Sequence, residues 1–498
     1  RSIDERPDHG VALLNAAMLF GQTGMPEFQV ASMKRLVEVA PDNLDARLLL
    51  CEVFWSAGLD KEALTQAQTT FAAFPDNPDV LRALARAYRE TGETAPAAQA
   101  LERALQLEPN AAATRVQSAE LYTSLGSFVE ARKLLEGVSP PPALRDATDF
   151  LRAVTAALTG DWAPAGSVWQ AREKAGEADA APLPIRLLAA AALVHDGRRE
   201  EGARCLAPGE RASSAYLEKT RIARVALGSI PETAPSPAEA ALSEALAKDQ
   251  EAFVDYLLAV ACVEGRLESA ALPIIQRLEA RLGAFVPLNV LMMRAFARAD
   301  VEGGRLAAAR SYAEKHAEQP AVWLGLAGIA RMEDDAALEE QALARGVERA
   351  QDSAEVWAAN RRLFELAPDR PEVKNNLAYS ILRTGGDPSE ALQLAKAAVE
   401  GLGNNPHALH TLGLAYRQTG DLEEAYRRIA SALELRPGDP TLLYDYGRVL
   451  IGLGKPQEGR QHIELAVQYA LQLGLTFPEL DDARKTLEEL PASSAGQS

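Results

Sequence analysis

Apolar residues along this chain recur at helical spacing, in paired runs broken by the same punctuation. In DPTLLYDYGRVLIGLGKPQEGRQHIELAVQYA, Leu443, Tyr446, Gly447 and Leu450 mark one helical face, and Ile463, Ala466 and Val467 mark a second. Gly454 stands between the two runs. Glycines hold the same phase elsewhere: Gly24, Gly58, Gly92, Gly126 and Gly160 lie 34 residues apart, and the period returns at Gly386, Gly420 and Gly454. Five residues after most of them comes a small residue, Ala63, Ala97, Ala131, Ala165, Ala391, Ala425 or Gly459. Prolines close the unit at Pro41, Pro75, Pro109 and Pro437, and others open the next at Pro78, Pro406 and Pro440.

Each mark has a physical purpose. The glycine supplies a positive φ just past a helix end, the small residue lets the second helix approach the first, and proline stops one helix and pre-sets the first turn of the next. The predicted unit is helix, tight turn, helix, proline-marked loop. A single such hairpin cannot bury both faces, so the units must stack. The fold class expected is all-α, an α-solenoid (right-handed superhelix) of about 12–13 helix-turn-helix repeats of about 34 residues.

These residues resemble the tetratricopeptide repeat, W-x2-L-G-x2-Y followed by A-x3-F and P. Leu412, Gly413, Tyr416, Ala425, Ile429, Ala432 and Pro437 carry the match in one segment, and Leu84, Ala85, Tyr88, Ala97, Leu101, Ala104 and Pro109 in another. The phase divides the chain into a regular array over 1–175, divergent repeats over 176–370, regular repeats over 371–470, a capping helix over 471–490 and a disordered tail over 491–498. In the divergent stretch Gly197, Gly265 and Gly304 drift off the period, and 230–240 is a proline-rich extended loop. The unit starting at Trp357 reaches APDRPEV after one helix, which predicts a missing or merged helix there.

What the resemblance implies for function is a concave groove lined by the first helix of each pair. The family's groove positions fall on Asp45, Leu48, Glu52 and Trp55, then on Asp79, Arg82, Arg86 and Arg89, and near the C-terminus on Asn375, Tyr379, His407, His410, Arg417, Tyr444 and Arg448. Arginine and aromatic side chains anchor interfaces. The partners expected are other proteins or extended peptides, with an anionic polysaccharide as an alternative. Where the carboxylate clamp of chaperone-binding members needs Lys or Arg, the chain has Thr411, Thr441 and Asp445, which argues against that role. Members fused to a glycosyltransferase carry a catalytic domain after the repeats, for which 471–498 has no room.

Composition narrows the classes further. The net charge of −18 argues against nucleic-acid binding. The longest apolar run, Leu187–Val194, is far shorter than the ~20 residues of a spanning helix. Cys51, Cys205 and Cys262 are too scattered for a disulfide framework or a cysteine metal site and are expected to be buried. No GxxxxGK[ST], GxSxG or HExxH occurs. His407 and His410, at i,i+3, lack a third ligand, so neither a metal nor another cofactor is expected, and no enzyme is proposed. The opening RSIDERPDHG has no initiator Met and no apolar segment, as in a trimmed product whose upstream segment is missing. Of the 52 basic residues 41 are Arg, which with abundant Ala suggests a GC-rich bacterial genome.

The block over 371–470, with the FPELDDARKTLEEL segment after it, is similar to bacterial repeat lipoproteins and periplasmic scaffolds associated with exopolysaccharide production and export. The leading expectation is therefore a non-enzymatic scaffold that binds partner proteins in a bacterial envelope assembly, in the periplasm or anchored to the membrane. The alternatives are a cytoplasmic adaptor or regulator on the same groove, or a carbohydrate-binding protein or cryptic enzyme using the irregular middle.

Overall fold

The computed structural model describes residues 10–209, 212–301, 303–348, 354–473, 477 and 479–490. Among them it places 28 α-helices, one short 3-10 turn at Pro142–Leu144 and no strand. The expected disordered tail, 491–498, lies outside the described residues. The chain divides into two compact units, Arg1–Tyr312 and Ala313–Ser498.

The first unit opens with five helical hairpins: α1/α2 (Gly10–Gln22, Pro26–Val39), α3/α4 (Leu44–Ser56, Asp60–Ala73), α5/α6 (Pro78–Glu90, Thr94–Leu107), α7/α8 (Ala112–Ser124, Phe128–Leu135) and α9/α10 (Arg145–Ala157, Ala163–Ala175). The five phased glycines all sit between the helices of a hairpin with φ of +70 to +84°. The phased alanines of the second helices, Ala63, Ala97, Ala131 and Ala165, are buried, so the two backbones of each hairpin meet over a methyl group. Pro41, Pro75 and Pro109 each follow the last residue of a second helix by two positions.

Beyond this array the chain departs from sequential stacking. Helix α11 (Leu183–His195) is followed by α12 (Arg199–Cys205), α13 (Ser214–Ala226) and α14 (Pro237–Lys248), yet its main mates include α15 (Gln250–Glu264), with those three helices between them in the chain. The apolar run LLAAAALV is the reason. It is buried on all sides of α11, and the likewise apolar α15 supplies the second wall. The proline-rich 230–240 segment is an irregular connection as far as Ser236, whose side chain and Glu239 form a capping box at the start of α14.

Helices α16 (Glu268–Leu282), α17 (Val286–Phe296) and α18 (Arg305–Lys315) follow. In the α15–α16 turn the left-handed position belongs to Arg266, at φ +60°, not to the neighbouring Gly265. Gly265 answers a different need: a Cβ there would lie 2.1 Å from the Phe150 ring.

The second unit contains α19/α20 (Pro320–Met332, Ala336–Glu348), the single helix α21 (Ala354–Leu366), three regular hairpins, α22/α23 (Pro371–Thr384, Pro388–Leu402), α24/α25 (Pro406–Thr419, Leu422–Leu435) and α26/α27 (Pro440–Gly452, Pro456–Leu473), and then α28 (Leu480–Glu489). The unit beginning at Trp357 thus holds one helix before α22 opens the next hairpin. Gly420 and Gly454 adopt the left-handed conformation, whereas between α22 and α23 Gly385 takes it in place of Gly386. In α26/α27 the helices approach until a Cβ on Gly447 would lie 2.7 Å from the carbonyl oxygen of Gly459.

Candidate functional site

In the first unit the first helices α3 and α5 present the sequence-predicted groove positions. Asn43 and Asn77 cap α3 and α5 by accepting backbone N–H bonds, which fixes the register of the side chains that follow. Arg86 donates to both carboxylate oxygens of Glu52, at 3.0 and 2.9 Å, and its guanidinium lies 4.0 Å from the centroid of the Trp55 ring. Arg82 pairs with Asp79 and donates to Thr114 Oγ1 at 3.2 Å. Arg89 lies 2.5 Å from Glu120 and 3.1 Å from Glu90. Asp45 stands exposed in the first turn of α3, apart from these pairs. The three guanidiniums are therefore matched by carboxylates of their own chain.

Beside them is a cavity of about 270 Å³, with Arg86, Arg89, Gln117 and Glu120 above an apolar floor that includes Leu101 and Val116. Arg266 reaches it from the α15–α16 turn and pairs with Glu90 at 3.2 Å, while Arg298 pairs with Glu90 at 2.9 Å. Burial would raise the Glu90 carboxyl, but Arg89, Arg266 and Arg298 outweigh it and hold the group below the usual carboxylate range.

In the second unit the predicted residues fall into two neighbouring cavities. Asn375 and Tyr379 from α22, with His407 and His410 from α24, line one of about 380 Å³, together with Asn376, Thr411 and Arg436. Asn405 caps α24 through His407 and Ala408 N–H, with Pro406 at its first position, and so sets both histidines on this face. The Oδ1 atom of Asn375 is buried and accepts no hydrogen bond within the described residues. Arg436 lies 3.1 Å from His407 Nε2. A guanidinium only donates, so this nitrogen accepts, and the imidazole is neutral with its proton on Nδ1. Burial, with Arg436 adding to it, lowers the His407 pKa in agreement.

Arg417, Tyr444 and Arg448 line the second cavity, of about 200 Å³, with Arg383, Gln418, Asp445, Glu479 and Asp482. Asp445 joins the two cavities. One oxygen lies 2.8 Å from His410 Nε2 and the other accepts from Arg417 at 2.7 Å. Tyr444 donates to Asp482, and Arg448 lies 3.0 Å from the same carboxylate. Arg383 pairs with Glu479.

Sequence reasoning missed the partners: Glu90, Glu120 and Arg266 in the first unit, and Asp445, Arg383 and Glu479 in the second. A signal was present. Complementary groups stand about one repeat apart, Glu52 and Arg86 by 34 residues, His410 and Asp445 by 35, and Arg448 and Asp482 by 34.

Among the described residues no three His, Cys, Asp or Glu side chains are placed to hold a metal ion. His407 and His410 are directed to Arg436 and Asp445 respectively. Among the described residues no helix is long and apolar enough to cross a membrane. The three cysteines are free and buried, and burial pushes the thiols of Cys51 and Cys205 up to about 12.

Residues 386–466 match the family model described as anaphase-promoting complex, cyclosome, subunit 3, and residues 88–147 match one described as tetratricopeptide repeat. No curated protein matches the chain. Among solved structures it is similar to a tetratricopeptide repeat protein from Parabacteroides merdae ATCC 43184, at 14% identity over 57% of this chain and 98% of that one, with a TM-score of 0.33. It is also similar to Naa15/Naa10 bound to HypK-THB, at 14% identity over 96% of this chain and 75% of that one (TM-score 0.32). A third is the APC/C hetero-tetramer Cut9–Hcn1, at 15% identity over 90% and 96% (TM-score 0.28). Two segments, 88–147 and 386–466, thus match tetratricopeptide-repeat families, and the helical hairpins that contain them belong to an all-α solenoid.

Proposed function

We propose that the chain is a non-enzymatic scaffold whose second unit captures an extended segment of a partner protein between α22 and α24. The observation that carries this is the convergence of Asn375, Tyr379, His407 and His410, from two consecutive repeats, on one cavity of about 380 Å³ with an Asn375 oxygen that accepts no hydrogen bond within the described residues. A peptide backbone supplies donors and acceptors in alternation, which suits an amide acceptor beside a neutral imidazole and the Arg436 guanidinium. In the first unit the groove arginines are already neutralised by Glu52, Asp79 and Glu120. That favours a protein segment over an anionic polysaccharide, which would need free cations.

A photo-crosslinking residue at Asn376 in the full chain tests the site in cells of its source. A discrete protein adduct is expected, and Asn375→Ala with Tyr379→Ala should remove it. No adduct, or one indifferent to both substitutions, counts against the site.

We place this scaffold in a bacterial envelope assembly such as exopolysaccharide production or export. Support comes from the likeness of the 371–470 repeats to scaffolds of that kind and from the Arg- and Ala-rich composition. Fractionation of source cells decides it: recovery with periplasmic or membrane material is expected, and recovery in the cytosol would favour the adaptor reading.

A further inference from the structure

The geometry points to a second docking surface, the Arg383–Arg417–Arg448 face of α22, α24 and α26, which takes an acidic helical segment of a partner and is occupied in cis by α28. It lies beyond the Asn375–His410 cavity and does not depend on what binds there.

Four observations carry it. First, α28 meets the face through acids: Glu479 pairs with Arg383, and Asp482 with Arg448 and the Tyr444 hydroxyl. Two guanidiniums, Arg383 and Arg448, against carboxylates three residues apart define the recognised chemistry, while Arg417 between them is held by Asp445 of α26.

Second, the seat is loose. A cavity of about 200 Å³ remains, lined by Arg383, Arg417, Gln418, Tyr444 and Arg448 on one side and Glu479 and Asp482 on the other. A helix selected only to close the core would leave no polar void beneath it.

Third, the fit of Glu479 is incomplete. Its Oε2 atom is buried and has no partner among the described residues. Burial, with the neighbouring Asp445 charge, raises this carboxyl although Arg383 opposes the shift. A ligand acid seated to use both oxygens would do better.

Fourth, α28 is weakly anchored. Within it only Ala483 and Thr486 are buried, Leu480 and Leu487 pack partly on the core, and Arg460 donates to the Leu487 and Leu490 carbonyls at its end, with Phe477 packing against Tyr444 just before it. Ten residues are too few to hold a helix alone, and the half-exposed Arg448–Asp482 pair adds little. Such an element sits at the low-stability end of a fold and can leave while the hairpins stay packed.

The test uses the full chain and a defined probe, a fluorescent peptide of this chain's residues 474–490. A chain carrying Glu479→Arg and Asp482→Arg should bind it at least tenfold more tightly than the wild-type chain, whose own α28 competes. Adding Arg448→Glu should abolish binding, and raised salt should weaken it. Equal binding to both chains, or none to the opened chain, overturns the proposal. Hydrogen exchange on the unmodified chain checks it independently of the variants. The amides of α28 should exchange at least tenfold faster than those of Tyr444–Leu450, and equal protection would make α28 a fixed cap and overturn the proposal.

Discussion

His410 Nε2 lies 2.8 Å from Oδ2 of Asp445, across the seam between two successive first helices. The carboxylate side chain is 4% exposed, and its other oxygen accepts from Arg417. An ionised carboxylate only accepts, so Nε2 carries the proton. A charge this buried must be paired. Asp445 thus locks α24 to α26 and fixes the imidazole on the wall of the larger cavity, so the stability of the seam and the shape of the site depend on one residue.

Burial pushes the Asp445 carboxyl up, but His410 and Arg417 outweigh it and hold the group below its ordinary value. A depressed carboxyl adds stability that is fully present above the unfolded value, about 3.9, and is lost as pH falls through the folded one. Asp445→Ala should therefore cost about 3–5 kcal/mol at neutral pH, as for a broken buried pair. The deficit should shrink below about pH 4. Urea unfolding of the second unit at a series of pH values checks both, and a deficit independent of pH would refute the assignment.

The repeat was legible because its marks are backbone requirements. Gly58, Gly92 and Gly420 need a positive φ, and Ala97 and Ala425 need close helix approach, so few other residues fit. Gly265 and Gly386 look the same in sequence, yet Phe150 and Ile381 crowd them and their neighbours Arg266 and Gly385 make the turn. A one-residue slip of a turn leaves the period intact, so spacing alone cannot detect it. The pairing of α11 with α15 was equally hidden, since apolar helices do not state which neighbour they cover. For the site, position along the first helix found Tyr379 and His410. It did not find Asp445, whose meaning appears only when the helix one repeat earlier lies beside it.

Substitutions at the contact of first and second helices test the phase. Ala425 is fully buried, and a Cβ on Gly447 would meet the Gly459 carbonyl at 2.7 Å. Ala425→Leu and Gly447→Ala should each destabilise the second unit by about 1–3 kcal/mol through overpacking. Thermal unfolding reads the loss, and a neutral result at both positions would mean the helices do not approach as described.

The thiols of Cys51 and Cys205 are pushed up to about 12 by burial, and Cys262 is fully buried as well. Since only the thiolate reacts, all three should resist a disulfide reagent at pH 8 in the folded chain. Denaturation should release three equivalents, matching the three cysteines of the sequence. One fast thiol in the native protein would mark a site of a different kind.

Arg86 and Arg89 differ in what they support, although three residues apart on α5. Arg86 faces Glu52, whose side chain is 55% exposed, so the pair itself is worth at most about 1 kcal/mol, with about 0.5–1 kcal/mol more from stacking on Trp55. Arg89 bridges Glu120 and the buried Glu90, and its loss leaves two carboxylates short of a donor. Arg89→Ala should cost about 2–3 kcal/mol, the range for hydrogen bonds to charged groups. Arg86→Ala should destabilise less than Arg89→Ala, by at most about 1–2 kcal/mol, while shifting Trp55 emission. Denaturant unfolding of the two variants separates them, and equal losses would contradict the pairing. Arg86→Ala is then the clean probe of partner binding at the first unit, because lost capture by a chain reversed at Arg82, Arg86 and Arg89 together would also report lost stability.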